Sequence, residues 1–227
     1  MNQHGLHSPL QGKKKDMQQF AEIEDIHRRI FAAMLSSMDQ SVGKILKQIH
    51  ESGLDEKTLI VFFSDNGGPT RELTSSNLPL RGEKGSMYEG GLRVPFLMRW
   101  TGTLAPKQTI DVPVSSLDIF PTSVALAGAS LPQNLDGRNL LPLLLQQKTE
   151  LPVADFFWRQ GRKAALRSGD WKIVQMRGTR EKPVWELYNL ANDKSETIDL
   201  ATEQSEKRME LQTRWNELNA QMKPALF

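Results

Sequence analysis

The 227 residues contain no cysteine. Disulfides, thiolate metal sites and a cysteine nucleophile are therefore excluded within them. That zero does not fix the compartment, since many secreted proteins also lack disulfides. Aromatic residues are sparse, at 7% with two tyrosines. Neither sign of charge dominates: 29 Lys and Arg face 27 Asp and Glu, for a net charge of +2. A balance this near neutral points away from a nucleic-acid partner or a membrane surface. Lys13-Lys14-Lys15 reads as a short solvated run. No stretch approaches the ~20 apolar residues that span a bilayer, so no membrane span is expected. The opening "MNQHGLHSPLQGKKK" lacks an apolar h-region and carries its lysines where that region would be, so no signal peptide is expected in it.

What is present suits a folded chain. Hydrophobic residues make up 38% and charged residues 25%, ordinary proportions for a globular protein with a real core. Ile23, Ile26, Ile30, Met34, Met38, Val42, Ile45 and Ile49 recur at steps of three and four. This predicts one amphipathic helix over 22–52. Acids stand at its start, His50 near its end, and Gly53 is placed to stop it. Thr58–Phe63 follows as a strand. Its apolar run does not alternate, which predicts cover on both faces, as in a parallel α/β sheet. Residues 94–100, "VPFLMRW", read as a further strand. "DIFPTSVALAGA" reads as a short helix with Asp118 as N-cap and Gly128 just past its end.

The character changes near residue 150. "DFFWR", "KAALRSGDWKIVQMR" and "VWELYNL" are short, β-rich and aromatic. Ser168-Gly169-Asp170 reads as a hairpin turn. Residues 205–222 form a helix with Leu211, Trp215, Leu218 and Met222 on one side. The expected organisation is an α/β part over 1–150, then over 151–227 a small antiparallel sheet with a C-terminal helix. Trp158, Trp171, Trp185 and Tyr188 read as core of that sheet.

Two loops could carry chemistry. The strand at 58–63 runs into Ser64-Asp65-Asn66-Gly67-Gly68. Ligands in open α/β sheets bind beyond the carboxyl ends of strands. Asp65 and Asn66 offer hard oxygens suited to Ca²⁺ or Mg²⁺, but the same residues make an ordinary turn. The stretch "LPLRGEKGSMYEGGLRVPF" sets Arg81, Lys84 and Arg93 among four glycines, a composition that can surround a tetrahedral oxyanion or form an exposed loop. Of the four histidines, His27 reads as surface, His50 as facing free helix carbonyls, and His4 as undistinguished. His7, in "HSPL", is either exposed or an anion and proton partner.

Taken together, "HSPLQ", "MDQSVGKILKQIHESGLDEKTLIVFFSDNGGPT" and "NLPLRGEKGSMYEGGLRVPFLMRW" closely resemble the type I sulfatases, most of all the arylsulfatase and N-acetylgalactosamine-sulfatase branch. "SSLDIFPTSVALAGA", "LDGRNLLPLL", "ALRSGDWKIV" and "WELYNLANDKSETIDLA" agree, so the resemblance runs over nearly the whole chain. It implies an alkaline-phosphatase-like α/β sheet with flanking helices, only partly present here, followed by the small antiparallel subdomain. It implies hydrolysis of sulfate esters. By the same resemblance Asp65 and Asn66 fall on a pair of Ca²⁺ ligands. Lys84 falls on the lysine that contacts the sulfate, and His7 on the histidine beside the sulfate and the leaving oxygen.

The resemblance also implies a Cys- or Ser-x-Pro-x-Arg motif whose first residue becomes formylglycine, the nucleophile, together with a further pair of metal-binding aspartates. The 227 residues hold neither. Ser130-Leu131-Pro132 is followed by Gln133-Asn134, without the arginine. The chain thus resembles the C-terminal half of a sulfatase. Two readings follow: a member of a sulfuric ester hydrolase family, inactive by itself, or a non-catalytic module that grips a sulfated glycan or a partner chain. A phosphate or phosphonate ester substrate is disfavoured by the "PLRGEKG" and "YEGGLRVP" matches. Members of the family are usually periplasmic, secreted or lysosomal. The particular substrate is not legible.

Overall fold

Asp25 starts the longest helix. Its carboxylate accepts a hydrogen bond from the Arg28 backbone N–H at 2.7 Å, so α2 spans Ile26–Glu51 rather than beginning at 22. The helix ends as expected, with Gly53 in the left-handed region at φ 64°. The short helix α1 (Lys14–Gln18) packs beside it. Ala33 and Met34 are the buried residues of α2, whereas Ile26 of the stripe remains 47% exposed. The structure, a computed structural model, describes residues 6–178 and 183–223. His4 lies outside the described residues.

Strand β1 (Ile60–Phe63) falls where the sequence predicts it, but its setting differs from the expectation. It pairs antiparallel with β2 (Phe96–Arg99), with Phe63 opposite Phe96 and those rings 5.8 Å apart. Phe62 and Phe63, on opposite faces, are 41% and 40% exposed. A continuous apolar run reports that both faces want cover. It does not say which segment supplies the cover, and among the described residues no third strand joins this ladder. Asp55 ties the end of β2 to α2. One carboxylate oxygen lies 3.1 Å from Arg99 Nη2 and the other 2.6 Å from His50 Nδ1. His50 therefore meets a carboxylate, not the helix carbonyls expected for it.

The chain forms two compact units, residues 1–100 and 101–227; the expected change of character near 150 lies inside the second. In that second unit, the helix Ile119–Leu126 is preceded by a 3₁₀ turn over Ser116–Asp118. Asp118 holds the N-cap position of the helix, as expected, but its side chain makes no capping bond there; it closes a reciprocal capping box with Ser115, which caps the 3₁₀ turn. The Asp118 carboxylate, 2% exposed, also accepts from the Arg138 backbone N–H at 2.6 Å. Thr122 donates to the Asp118 carbonyl and accepts from the Leu140 N–H. Together these bonds dock 138–140 onto the start of that helix.

The small sheet is the expected one. Strands β3 (Asp155–Gln160), β4 (Lys163–Ser168), β5 (Trp171–Gly178) and β6 (Pro183–Asn189) lie in sequential order, all antiparallel. Gly169, at φ 59°, makes the tight β4–β5 turn. Ala164, Leu166, Ile173, Trp185 and Leu187 form one core with Leu211 of the last helix (Ser205–Gln221). Trp215 stacks on Phe157 and tilts against Trp185, each at 5.4 Å between ring centroids. Lys172 and Glu196, both fully buried, pair at 2.8 Å.

Candidate active site

The exit of β1 is fixed by glycine packing. The Ser64 hydroxyl donates to the Asn66 carbonyl at 2.9 Å, and the Asn66 side-chain amide donates to the Gly67 carbonyl at 2.8 Å. The Gly67 N–H then donates to the Gly91 carbonyl at 3.0 Å. A Cβ at Gly67 would fall 1.8 Å from the Gly90 carbonyl oxygen, so only glycine permits this approach. Asp65 is exposed and Asn66 half-buried. Asn66 commits its amide nitrogen, which leaves its side-chain oxygen as the free end.

The second loop folds back on the first. Gly82 and Gly85 adopt positive φ, at 87° and 82°. Glu83 and Ser86, on either side of Lys84-Gly85, exchange hydrogen bonds: the Ser86 N–H donates to the Glu83 carbonyl, and the Glu83 N–H to the Ser86 hydroxyl. The Gly90 N–H donates to the Arg81 carbonyl at 2.7 Å, and the Arg81 guanidinium lies 3.9 Å over the Tyr88 ring. The Glu83 carboxylate accepts from the Thr70 hydroxyl and the Arg71 N–H, both in α3 (Thr70–Leu73), and pairs with the Arg71 guanidinium. The Thr70 hydroxyl first, then the Arg71 N–H, hold the Glu83 carboxyl below its ordinary value.

Lys84 and His7 meet. Lys84 Nζ stands 3.0 Å from His7 Nε2, across 77 residues of sequence. On the other side of the ring, Nδ1 lies 2.9 Å from the Ser8 carbonyl oxygen. A carbonyl only accepts, so Nδ1 carries the proton, and Nε2 accepts from the Lys84 ammonium. In this arrangement His7 is a hydrogen-bond acceptor at Nε2.

The Lys84 backbone N–H donates to the Gly68 carbonyl at 3.3 Å, which links the Lys84 loop to the segment just after Asp65-Asn66. Of the four residues singled out from the sequence, His7 and Lys84 are thus in contact, and Asp65 and Asn66 are joined to them through Gly68. Asp65 and Asn66 provide two hard oxygen donors, a fit to part of a Ca²⁺ shell of about six to eight oxygens. Among the described residues no group of three or more His, Cys, Asp or Glu gathers that could hold a metal by itself. Sequence reading missed Asn77 and Glu83, which hold the two loops. An Asn two residues before a proline and a Glu in a charged loop carry no distinguishing local signal.

Comparisons with known proteins agree over residues 1–223. The family model described as Sulfatase matches residues 1–129, and that described as N-sulphoglucosamine sulphohydrolase, C-terminal, matches 82–223. A sulfatase of Formosa agariphila is 30% identical over 214 residues, covering 82% of this chain and 38% of that protein. Human arylsulfatase A is 44% identical over 131 residues, covering 56% of this chain and 25% of that protein. The crystal structure of Ps i-CgsB, solved also in complex with k-i-k-neocarrahexaose, superposes with a TM-score of 0.79 at 34% identity. That match covers 92% of this chain and 47% of the other. The chain therefore spans less than half the length of the relatives it matches. The likeness bears out the expected α/β class with its appended antiparallel sheet and last helix.

Proposed function

The chain belongs to the sulfatase family, and from that premise we propose that His7 and residues 64–91 form the cation-lined part of a site that hydrolyses sulfate esters, aryl or glycan. The observation that carries this is the contact of Lys84 Nζ with His7 Nε2 at 3.0 Å. Two groups remote in sequence converge where an oxyanion would be held. The Lys84 ammonium would bind a sulfate oxygen and stabilise the charge that grows as the S–O bond breaks. His7 would deliver a proton to the departing oxygen from Nε2. Since Nε2 now accepts from Lys84, it must first acquire that proton.

Asp65 and Asn66 would hold Ca²⁺ through the carboxylate and the side-chain amide oxygen, with the remaining ligands from outside this pair. The bound ion would supply positive charge to the sulfate oxygens. A glycan sulfate ester is favoured as substrate class by the 34% identical neighbour seen with k-i-k-neocarrahexaose.

These 227 residues hold no cysteine and no Cys/Ser-x-Pro-x-Arg stretch. By themselves they therefore lack the formylglycine nucleophile, and the chain alone is inactive. Incubation with a chromogenic aryl sulfate and calcium should give no turnover above mock-purified controls. Turnover that survives those controls would overturn the claim.

A second reading is favoured by that same missing nucleophile: a non-catalytic module that grips a sulfated glycan through Lys84, Arg81 and His7. Submicromolar binding to a sulfated glycan, lost on Lys84→Ala, would support it. Absence of binding across a panel of sulfated glycans would count against it.

A further inference from the structure

Asn77 makes three hydrogen bonds with its side chain, all to backbone. Its Oδ1 accepts from the Gly68 N–H at 3.1 Å, and its Nδ2 donates to the Gly68 carbonyl at 2.8 Å. The same Nδ2 donates to the Gly82 carbonyl at 3.1 Å. Gly68 lies two residues after Asn66, and Gly82 two residues before Lys84. One neutral carboxamide thus spans the two loops that carry the proposed metal ligands and the proposed sulfate lysine. The Gly68 carbonyl also accepts from the Lys84 N–H, so Asn77 and Lys84 share one anchor. The packing is close: a Cβ on Gly68 would meet Asn77 Oδ1 at 3.1 Å and Ser75 Oγ at 2.7 Å.

We propose that Asn77 is a positioning residue that fixes the Asp65-Asn66 loop relative to Lys84. The role needs two donors and one acceptor at one place. A carboxylate offers only acceptors, and would face the Gly68 and Gly82 carbonyls with none of the donors they now receive. Aspartate is therefore the informative variant: nearly the same shape, keeping the acceptor for the Gly68 N–H and losing both donors.

This inference rests on the sulfatase-site reading for its purpose, but the coupling it claims is measurable without any ligand. Amide hydrogen exchange on the full chain compares wild type, Asn77→Asp and Asn77→Ala. In both variants exchange at the Lys84 N–H should rise at least about tenfold. The Gly67 N–H, held by Gly91, and the Ile173 N–H in β5 should be unchanged. Asn77→Asp should keep more of the Gly68 N–H protection than Asn77→Ala. The ¹⁵N signal of His7 Nε2, which reports its bond to Lys84, should shift in both variants, a change that a purely structural role elsewhere would not produce.

Unchanged exchange at Lys84 would overturn the inference. So would a loss of protection at Ile173 in both variants, since Asn77 would then serve the whole fold. Titration of wild type with inorganic sulfate separates the two ideas. A chain that shows the exchange pattern but binds no sulfate would keep the coupling and lose the sulfatase-site reading.

Discussion

Lys84 Nζ and His7 Nε2 lie 3.0 Å apart although 77 residues separate them in the chain. The Ser8 carbonyl at Nδ1 sets the His7 tautomer and leaves Nε2 to accept from Lys84. Removing the imidazole should free the ammonium without disturbing the Lys84 backbone, whose N–H is held by Gly68. His7→Ala is expected to shift the Lys84 Nζ resonance and to leave thermal stability nearly unchanged, since the pair is exposed. A drop in melting temperature of several degrees would contradict this.

Glu83 sets an acid limit on the Lys84 loop. Its folded carboxyl is held below the ordinary value near 4.5 by the Thr70 hydroxyl and then the Arg71 N–H. A lowered folded value means that the charged form stabilises the fold. That contribution is complete above the unfolded value and is lost as pH falls through the folded one. Melting temperatures followed from about pH 6 to about pH 3 should fall more steeply for wild type than for Glu83→Gln. Parallel curves would show that Glu83 contributes nothing.

Two glycines should respond with opposite signs. Gly67→Ala puts a Cβ 1.8 Å from a backbone oxygen and should destabilise by about 1–3 kcal/mol or more. Gly43 lies inside α2, and a Cβ there meets nothing within 4 Å. Gly43→Ala should stabilise by about 0.5–1 kcal/mol. Urea unfolding of both variants checks the pair.

The buried Lys172–Glu196 pair, at 2.8 Å with neither side chain exposed, should be costly to break from one side. Lys172→Met leaves a buried carboxylate and is expected to lose about 3–5 kcal/mol. The double variant Lys172→Met, Glu196→Gln should lose clearly less. Equal losses, read from urea midpoints, would contradict the pairing as the source of the cost.

Much of this fold is legible in the sequence where local rules suffice. The stripe from Ile26 to Ile49 gives α2, Gly169 gives the β4–β5 turn, and the spacing of Leu211, Trp215 and Leu218 gives the helix that closes the small core. The sheet context of β1 was not legible. An unbroken apolar run such as Ile60–Phe63 shows a need for cover but not its source, and the strand pairs antiparallel with exposed phenylalanines. Asp118 shows a subtler limit. It belongs to a capping box, but as the reciprocal partner of Ser115, because a buried carboxylate can also serve Arg138.

Within the site, local rules alone favoured a turn at Asp65-Asn66 over a ligand pair. Resemblance across the surrounding chain placed His7 and Lys84 in one site, which no local rule could do over such a separation. Asn77 stayed invisible because all its side-chain bonds go to backbone atoms brought near only by folding.

We propose that Lys84 and the Asp65-Asn66 pair belong to one sulfate-ester site. Isothermal titration with inorganic sulfate, with and without calcium, tests it most directly. Wild-type chain should bind sulfate, with affinity reduced by about tenfold or more in Lys84→Ala. Calcium should strengthen that binding, and Asp65→Ala should abolish the gain. Sulfate binding that is absent from wild type, or undiminished in Lys84→Ala, would contradict the account.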